Sequence, residues 1–161
     1  MRHIVLLSAM ILGSTFAFSS VAQAGSTDVH FNGTVASSCT FSNVQNGTLG
    51  LDAAGTTLSS LPTSSGTSGH ATLTCNNLLA TLSASVPQQA TAPTGYDHAT
   101  AIKTVAVTGT GANVVAIVVP TVPVPVPLPG ATNLTVNMTT TTVGLIPSGI
   151  YDMFVTLTVT P

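Results

Sequence analysis

Threonine alternates with aliphatic residues in several segments of this chain, and almost no side chain in it carries a charge. That combination narrows the choice of fold sharply. Threonine, and valine and isoleucine among the aliphatics, branch at Cβ, which restricts χ1, disfavours helix and suits a pleated sheet. No window sustains a 3.6-residue apolar period with a cap, so helix is not expected. Disorder is excluded as well, because disordered chains are poor in aliphatic and β-branched residues and this one is rich in them. Threonine supplies the polar face, its methyl packing and its hydroxyl meeting water. Strand edges are ordinarily guarded by charge. With so little charge available, the edges of this sheet protein are expected to be occupied.

The first residues are an address. Arg2 and His3 precede an apolar run from Ile4 to Phe18, and Ala22-Gln23-Ala24 fits the small-x-small cleavage rule. Residues 1–24 therefore read as a signal peptide, leaving 25–161 as one domain large enough to bury a core. In that domain Lys103 is the only cation, against Asp28, Asp52, Asp97 and Asp152. One lysine cannot build the basic surface that nucleic acid requires, nor hold an anionic membrane. No later stretch reaches the length of a membrane span, since prolines between Pro120 and Pro129 interrupt the most apolar one.

Two cysteines in an exported chain read as one disulfide, Cys39–Cys75. Closing that loop contributes about 3–4 kcal/mol in the chain-entropy model. The strands it staples are visible as alternation. Val29, Phe31 and Val35 share one face of a first strand, and Ala71 and Leu73 alternate with His70, Thr72 and Thr74 before Cys75. Residues 70–86 read as a hairpin or a bulged long strand around Asn76-Asn77. Ala101–Val107 and Val114–Val119 follow, with a hairpin turn expected at Thr108-Gly109-Thr110-Gly111. Leu134, Val136 and Met138 mark another strand. In the last, Ile150–Thr160, Met153, Val155, Leu157 and Val159 face one way, while Phe154, Thr156, Thr158 and Thr160 face the other. About seven or eight short strands separated by turns indicate an all-β sandwich. Two stretches read as loops: the Ser/Gly/Thr-rich Leu58–Gly69, expected to be flexible, and the proline-valine run 119–130. Prolines cannot donate to a ladder, so that run is an edge, a polyproline excursion or a protruding loop.

Chemistry is hard to find. Tyr96-Asp97-His98 is the one cluster of titratable side chains, and neighbours on a strand point to opposite faces. No nucleophile elbow, zinc-binding His pair or phosphate-cradling glycine loop is present. The chain contains no Glu, so a paired-carboxylate site would need distant aspartates. His30 and His70 alternate out of phase with the apolar faces of their strands, which places them in solvent rather than in a metal site. Neither an enzyme nor a cofactor is expected.

Val29-His30-Phe31-Asn32-Gly33-Thr34-Val35 followed by Cys39, Gly47-Thr48-Leu49, and the second cysteine at the end of a Thr/Leu strand resemble chaperone–usher fimbrial subunits. The close, Ser148-Gly149-Ile150-Tyr151-Asp152-Met153-Phe154-Val155-Thr156-Leu157-Thr158-Val159, resembles that of the spore coat protein U domain, which includes the archaic-type pilins. The likeness covers both ends of the domain and the disulfide, not the proline-valine run. Asp152 follows Tyr151 directly, and Pro161 stands where pilins often end in an aromatic residue.

The resemblance implies an immunoglobulin-like, pilin-type sandwich lacking its final strand. A periplasmic chaperone, and then a strand from the next subunit at an usher, would fill the gap by donor-strand complementation. It implies the periplasm in transit and then a surface fimbrium, pilus or coat, with other pilin subunits as partners. The chain stops after the Met153–Thr160 strand, which agrees with a missing last one. Val29, Phe31 and Val35 are then the donor or edge strand, and Met153, Val155, Leu157 and Val159 the acceptor groove strand. With only Gly25–Thr27 ahead of the first strand, either that strand is itself donated or the subunit accepts without giving. The alternative function is a self-complete extracellular sandwich that binds a glycan or protein partner through the Pro-rich and Tyr96 loops.

Overall fold

A computed structural model describes residues 27–119 and 123–161, so the expected signal peptide lies outside the described residues. The chain divides at Thr34, and among the described residues all regular structure lies in the unit Val35–Pro161. Twelve short strands make up an all-β sandwich with no α-helix among the described residues.

The larger sheet is organised by its longest strand. Strands β1 (Cys39–Gln45), β2 (Gly50–Leu51), β3 (Thr57–Ser59), β4 (Gly69–Cys75), β7 (Ile102–Gly111), β8 (Val115–Val119) and β10 (Gly130–Thr141) belong to it. Along one side β10 pairs with β7 from Thr132 to Thr141, and β8 lies beyond β7. Its other side is shared: β4 pairs with Gly130–Val136 and β3 with Thr139–Thr141. β1 then lies outside β4, with β2 outside β3. All these pairings are antiparallel.

The opposite layer is formed by two smaller sheets, one of β5 (Ala80–Ala84), β9 (Val124–Val126) and β12 (Leu157–Thr160), the other of β6 (Gln88–Thr91) and β11 (Asp152–Phe154). β12 and β9 flank β5, and β11 pairs with β6. β5 runs on into β6, and β11 into β12, so one broken ribbon faces another. Across the break, Ser85 N–H donates to Thr156 O at 2.9 Å and Thr156 N–H to Ser85 Oγ at 3.0 Å.

The core lies where alternate residues of both layers meet. Leu73, Val105, Val107, Val115, Ile117 and Leu134 come from the larger sheet and Leu82 and Val126 from the opposite layer, all essentially inaccessible to solvent. Each such side chain contributes roughly 1.5–3 kcal/mol by leaving water. Cys39 and Cys75 are directly opposed on β1 and β4, and the disulfide joins them, 4.2 Å apart at Cα.

Four sequence expectations change. Residues 27–38 carry no strand, although Val29, Phe31 and Val35 alternate as one. Alternation gives the capacity to pair; a strand also needs a partner's backbone. Residues 70–86 are not a hairpin, because β4 and β5 belong to different sheets and Asn76–Leu79 crosses between them. The Thr108–Gly111 turn is strand, and the chain turns at Ala112–Val114 after Gly111, whose φ is 112°. Gly109 is a packing glycine, since a Cβ there would press on Thr132, Val115 and Leu134 at 3.0–3.1 Å. The serine-rich stretch Leu58–Gly69 is built into the sheet: Ser59, Ser60 and Ser64 are buried, and Met138 N–H donates to Ser60 Oγ at 2.9 Å.

Of the proline-valine run, residues 120–122 lie outside the described residues; the rest takes the edge option. Val124–Val126 is an edge strand against β5, with Pro125 opposite Thr81. Buried Asn113 secures its far end: Leu128 N–H donates to Asn113 Oδ1 at 2.9 Å, and Asn113 Nδ2 donates to Leu128 O at 2.9 Å and Thr132 Oγ1 at 3.0 Å.

Candidate strand-accepting groove

The feature that distinguishes the unit Val35–Pro161 is an open groove of about 530 Å³ between the two layers. Its floor and one wall come from the larger sheet, through Val44 of β1, Leu49, Ala71 of β4, and Val136 and Met138 of β10. Met153, Val155 and Leu157 form the other wall. Alternation along 151–160 explains why. Met153, Val155, Leu157 and Val159 are half-buried and pack on the core, while the residues between them are exposed. The acceptor-strand residues expected from sequence are thus brought onto one side of one ribbon.

That ribbon is an edge. β12 pairs with β5 on one side and with no strand on the other among the described residues, and β11 likewise has β6 alone. Outward-facing amides and carbonyls on such a strand hold no ladder partner, and its apolar side chains are half wet. The opposite edge of the same layer is closed chemically. Pro125 has no N–H, so the antiparallel pairing with Thr81 uses the flanking Val124 and Val126, and Pro125 faces outward. Pro123 and Pro127 flank the strand, one at each end.

Val29, Phe31 and Val35 are 70%, 92% and 85% exposed. They lie outside any strand, and Val29 and Phe31 belong to the segment before the sandwich. The groove's larger-sheet wall was not singled out from sequence. Val136 and Met138 were legible as inward-facing, but which of several inward residues border a gap depends on topology.

The titratable cluster does not assemble. The Asp97 carboxylate accepts from Ala99 N–H at 3.0 Å, and from the Thr100 N–H and hydroxyl at 3.3 and 2.7 Å. The Thr100 hydroxyl is the main cause of its lowered pKa. Burial, reinforced by Lys103, lowers that of His98, whose Nδ1 has no hydrogen-bond partner. Tyr96 stacks edge-on against Tyr151 at 5.2 Å. Both hydroxyls are engaged, Tyr96 with Thr140 Oγ1 at 2.8 Å and Tyr151 donating to Pro147 O at 2.6 Å. Burial raises the Tyr151 pKa, with Tyr96 adding to it. These contacts tie the loop carrying Tyr96 to the loop carrying Tyr151 and to β10. Among the described residues no three His, Cys, Asp or Glu side chains are grouped to hold a metal ion, and no helix is long and apolar enough to cross a membrane.

Comparisons with protein-family models, with curated proteins and with solved structures each find no match.

Proposed function

We propose that this chain is an exported, non-enzymatic structural subunit of a surface pilus or coat, assembled by donor-strand complementation within an incomplete immunoglobulin-like sandwich. The observation that carries the reading is the β11–β12 edge. Its alternate side chains Met153, Val155, Leu157 and Val159 are apolar and half-exposed, and its outer backbone has no ladder partner among the described residues. An incoming strand would repair both defects together, with main-chain bonds for affinity and alternate side chains for register.

The segment Asp28–Val35 has the properties of that strand. Extended, its eight residues reach about 26 Å, enough to run along most of the ribbon from Asp152 to Thr160. Burying Val29, Phe31 and Val35 contributes roughly 1.5–3 kcal/mol each, and every ladder hydrogen bond about 1 kcal/mol more. A periplasmic chaperone covers the groove in transit, and at the usher other subunits supply this strand in its place.

The test compares residues 25–161 with the same chain lacking 25–36. The intact chain forms oligomers, the shortened one stays monomeric, and a peptide of residues 27–36 binds the shortened chain. A shortened chain that oligomerises like the intact one overturns the reading.

A further inference from the structure

The root of the 28–35 segment is held by one side chain. Asn76 follows Cys75 at the end of β4, and its backbone N–H donates to Ser38 O at 3.0 Å, carrying the β1–β4 register one residue past the Cys39–Cys75 pair. Beyond that point its side chain takes over from the backbone. Ser38 N–H donates to Asn76 Oδ1 at 2.7 Å, and Asn76 Nδ2 donates to Ala36 O at 2.9 Å. Three bonds to two residues, beside a disulfide, fix the path along which the chain leaves the sandwich between Ser38 and Val35.

We infer that Asn76 is a positioning residue that commits the 28–35 segment to the groove of a second copy rather than to its own. The inference rests on the strand-donor reading above and adds the choice of acceptor. The groove borders the Val44–Gln45 end of β1, whereas the chain leaves at the Cys39 end. Filling its own groove therefore requires a reversal, which must fall between Cys39 and Val35 because Val35 back to Val29 is the alternating set to be inserted. The reversal would have to be made by Ala36-Ser37-Ser38. Those residues include neither the Gly nor the Asn that tight hairpins use for positive φ. It would also break the bonds to Asn76 at Ala36 O and at Ser38 N–H and C=O. Turn chemistry and clamp act in the same direction: each disfavours the intramolecular closure that would otherwise win through its high effective concentration.

The chain has no Trp, so Phe31→Trp places a single reporter on the segment. Residues 25–161 carrying Phe31→Trp are compared with the same chain carrying Asn76→Ala, with monomers and oligomers separated by size. In the parent, the indole emission shifts to the blue only in oligomers. In the Asn76→Ala chain, the monomer share rises at least several-fold, and its indole is shifted to the blue and protected from protease at every concentration. Asn76→Asp, which keeps the acceptor for Ser38 and loses the donor to Ala36, falls between. Ser37→Asn with Ser38→Gly supplies a turn without touching Asn76 and produces the same closed monomer, so the inference stays testable if Asn76→Ala fails to fold.

Variants whose monomer indole stays exposed, and whose monomer share matches the parent while the melting temperature falls, make Asn76 a structural cap and overturn the inference, leaving the donor reading intact. An indole buried in no species, oligomers included, overturns both.

Discussion

The two edges of the layer facing the larger sheet have opposite designs. On β9 the outward position is Pro125, and a proline flanks the strand at each end, Pro123 and Pro127. That edge cannot donate to another strand, and its stiff φ keeps it from adapting to one. On β11–β12 the outward positions carry ordinary amides, and the inward ones are apolar and only half covered. Natural sheets usually guard exposed edges with lysine or glutamate, and this chain has one lysine and no glutamate. With charge unavailable, proline does the guarding, and it guards one edge only. The difference leaves β11–β12 as the unguarded edge of that layer.

The largest expected effect comes from spoiling the open edge. Leu157 lies opposite Ala84 and lines the groove; Leu157→Asp would bury an unpaired carboxylate beneath any incoming strand. That costs about 3 kcal/mol or more, so binding of the 27–36 peptide should weaken at least ~100-fold. Thr158→Asp, one residue on and facing solvent, should change it less than ~5-fold. Titration of the peptide into the arm-deleted chain distinguishes them. Equal effects at the two positions would mean that the groove is not where the strand seats.

Next comes the staple on β1, the strand outside β4. Replacing Cys39 and Cys75 together by Ser should lower stability by about 3–4 kcal/mol, measured by urea unfolding. It should leave peptide affinity nearly unchanged in the folded fraction, because the disulfide lies at the end of β1 away from Val44 and the groove. A large affinity loss at full folding would move the seat toward the Cys39 end.

The contrast between these elements also explains what could be read in advance. Alternation at 153–159 was legible because a side chain's phase along a strand is a local property, and the same held for Leu134, Val136 and Met138. Partner choice is not local. Val29-x-Phe31 and Ala71-x-Leu73 look alike in sequence, yet β4 has neighbours on both sides and residues 27–38 carry no strand. Gly109 reads as a turn residue in sequence because turn and packing glycines share one letter. Asn76 looked like turn chemistry, whereas its side chain serves as a strand's backbone for Ser38 and Ala36. The expected strand edge in the proline-valine run became specific only when Pro125 was placed opposite Thr81.

A smaller effect follows from unlocking the closed edge. Pro125→Thr restores one outward N–H and a strand-forming residue on β9, each worth about 1 kcal/mol or less in pairing. In the arm-deleted background it should introduce weak, concentration-dependent self-association, read by sedimentation velocity. The same substitution should leave peptide binding at β12 unchanged. A strictly monomeric Pro125→Thr chain would mean that proline is not what closes that edge.

The smallest effect separates the fold's own pH dependence from that of the edges. Asp52 Oδ1 accepts from Thr56 and Thr57 N–H at 2.9 Å each, and these bonds, Thr57's foremost, hold its carboxyl below the usual carboxylate value against a desolvation that opposes them. A group whose folded pKa is depressed contributes stability above its unfolded value near ~4. That contribution is lost as pH falls through the folded pKa, because the unfolded chain takes up the proton first. Stability should therefore lose this contribution progressively below about pH 4. Asp52→Asn, which keeps an acceptor but cannot ionise, should flatten that part of the curve in pH-dependent thermal melts. Asp52 braces the turn before β3 and is not part of the groove lining, so peptide affinity over the same range should be identical in the two chains. A matching shift in affinity would tie the β3 turn to the open edge and remove the independence on which the comparison of the two edges rests.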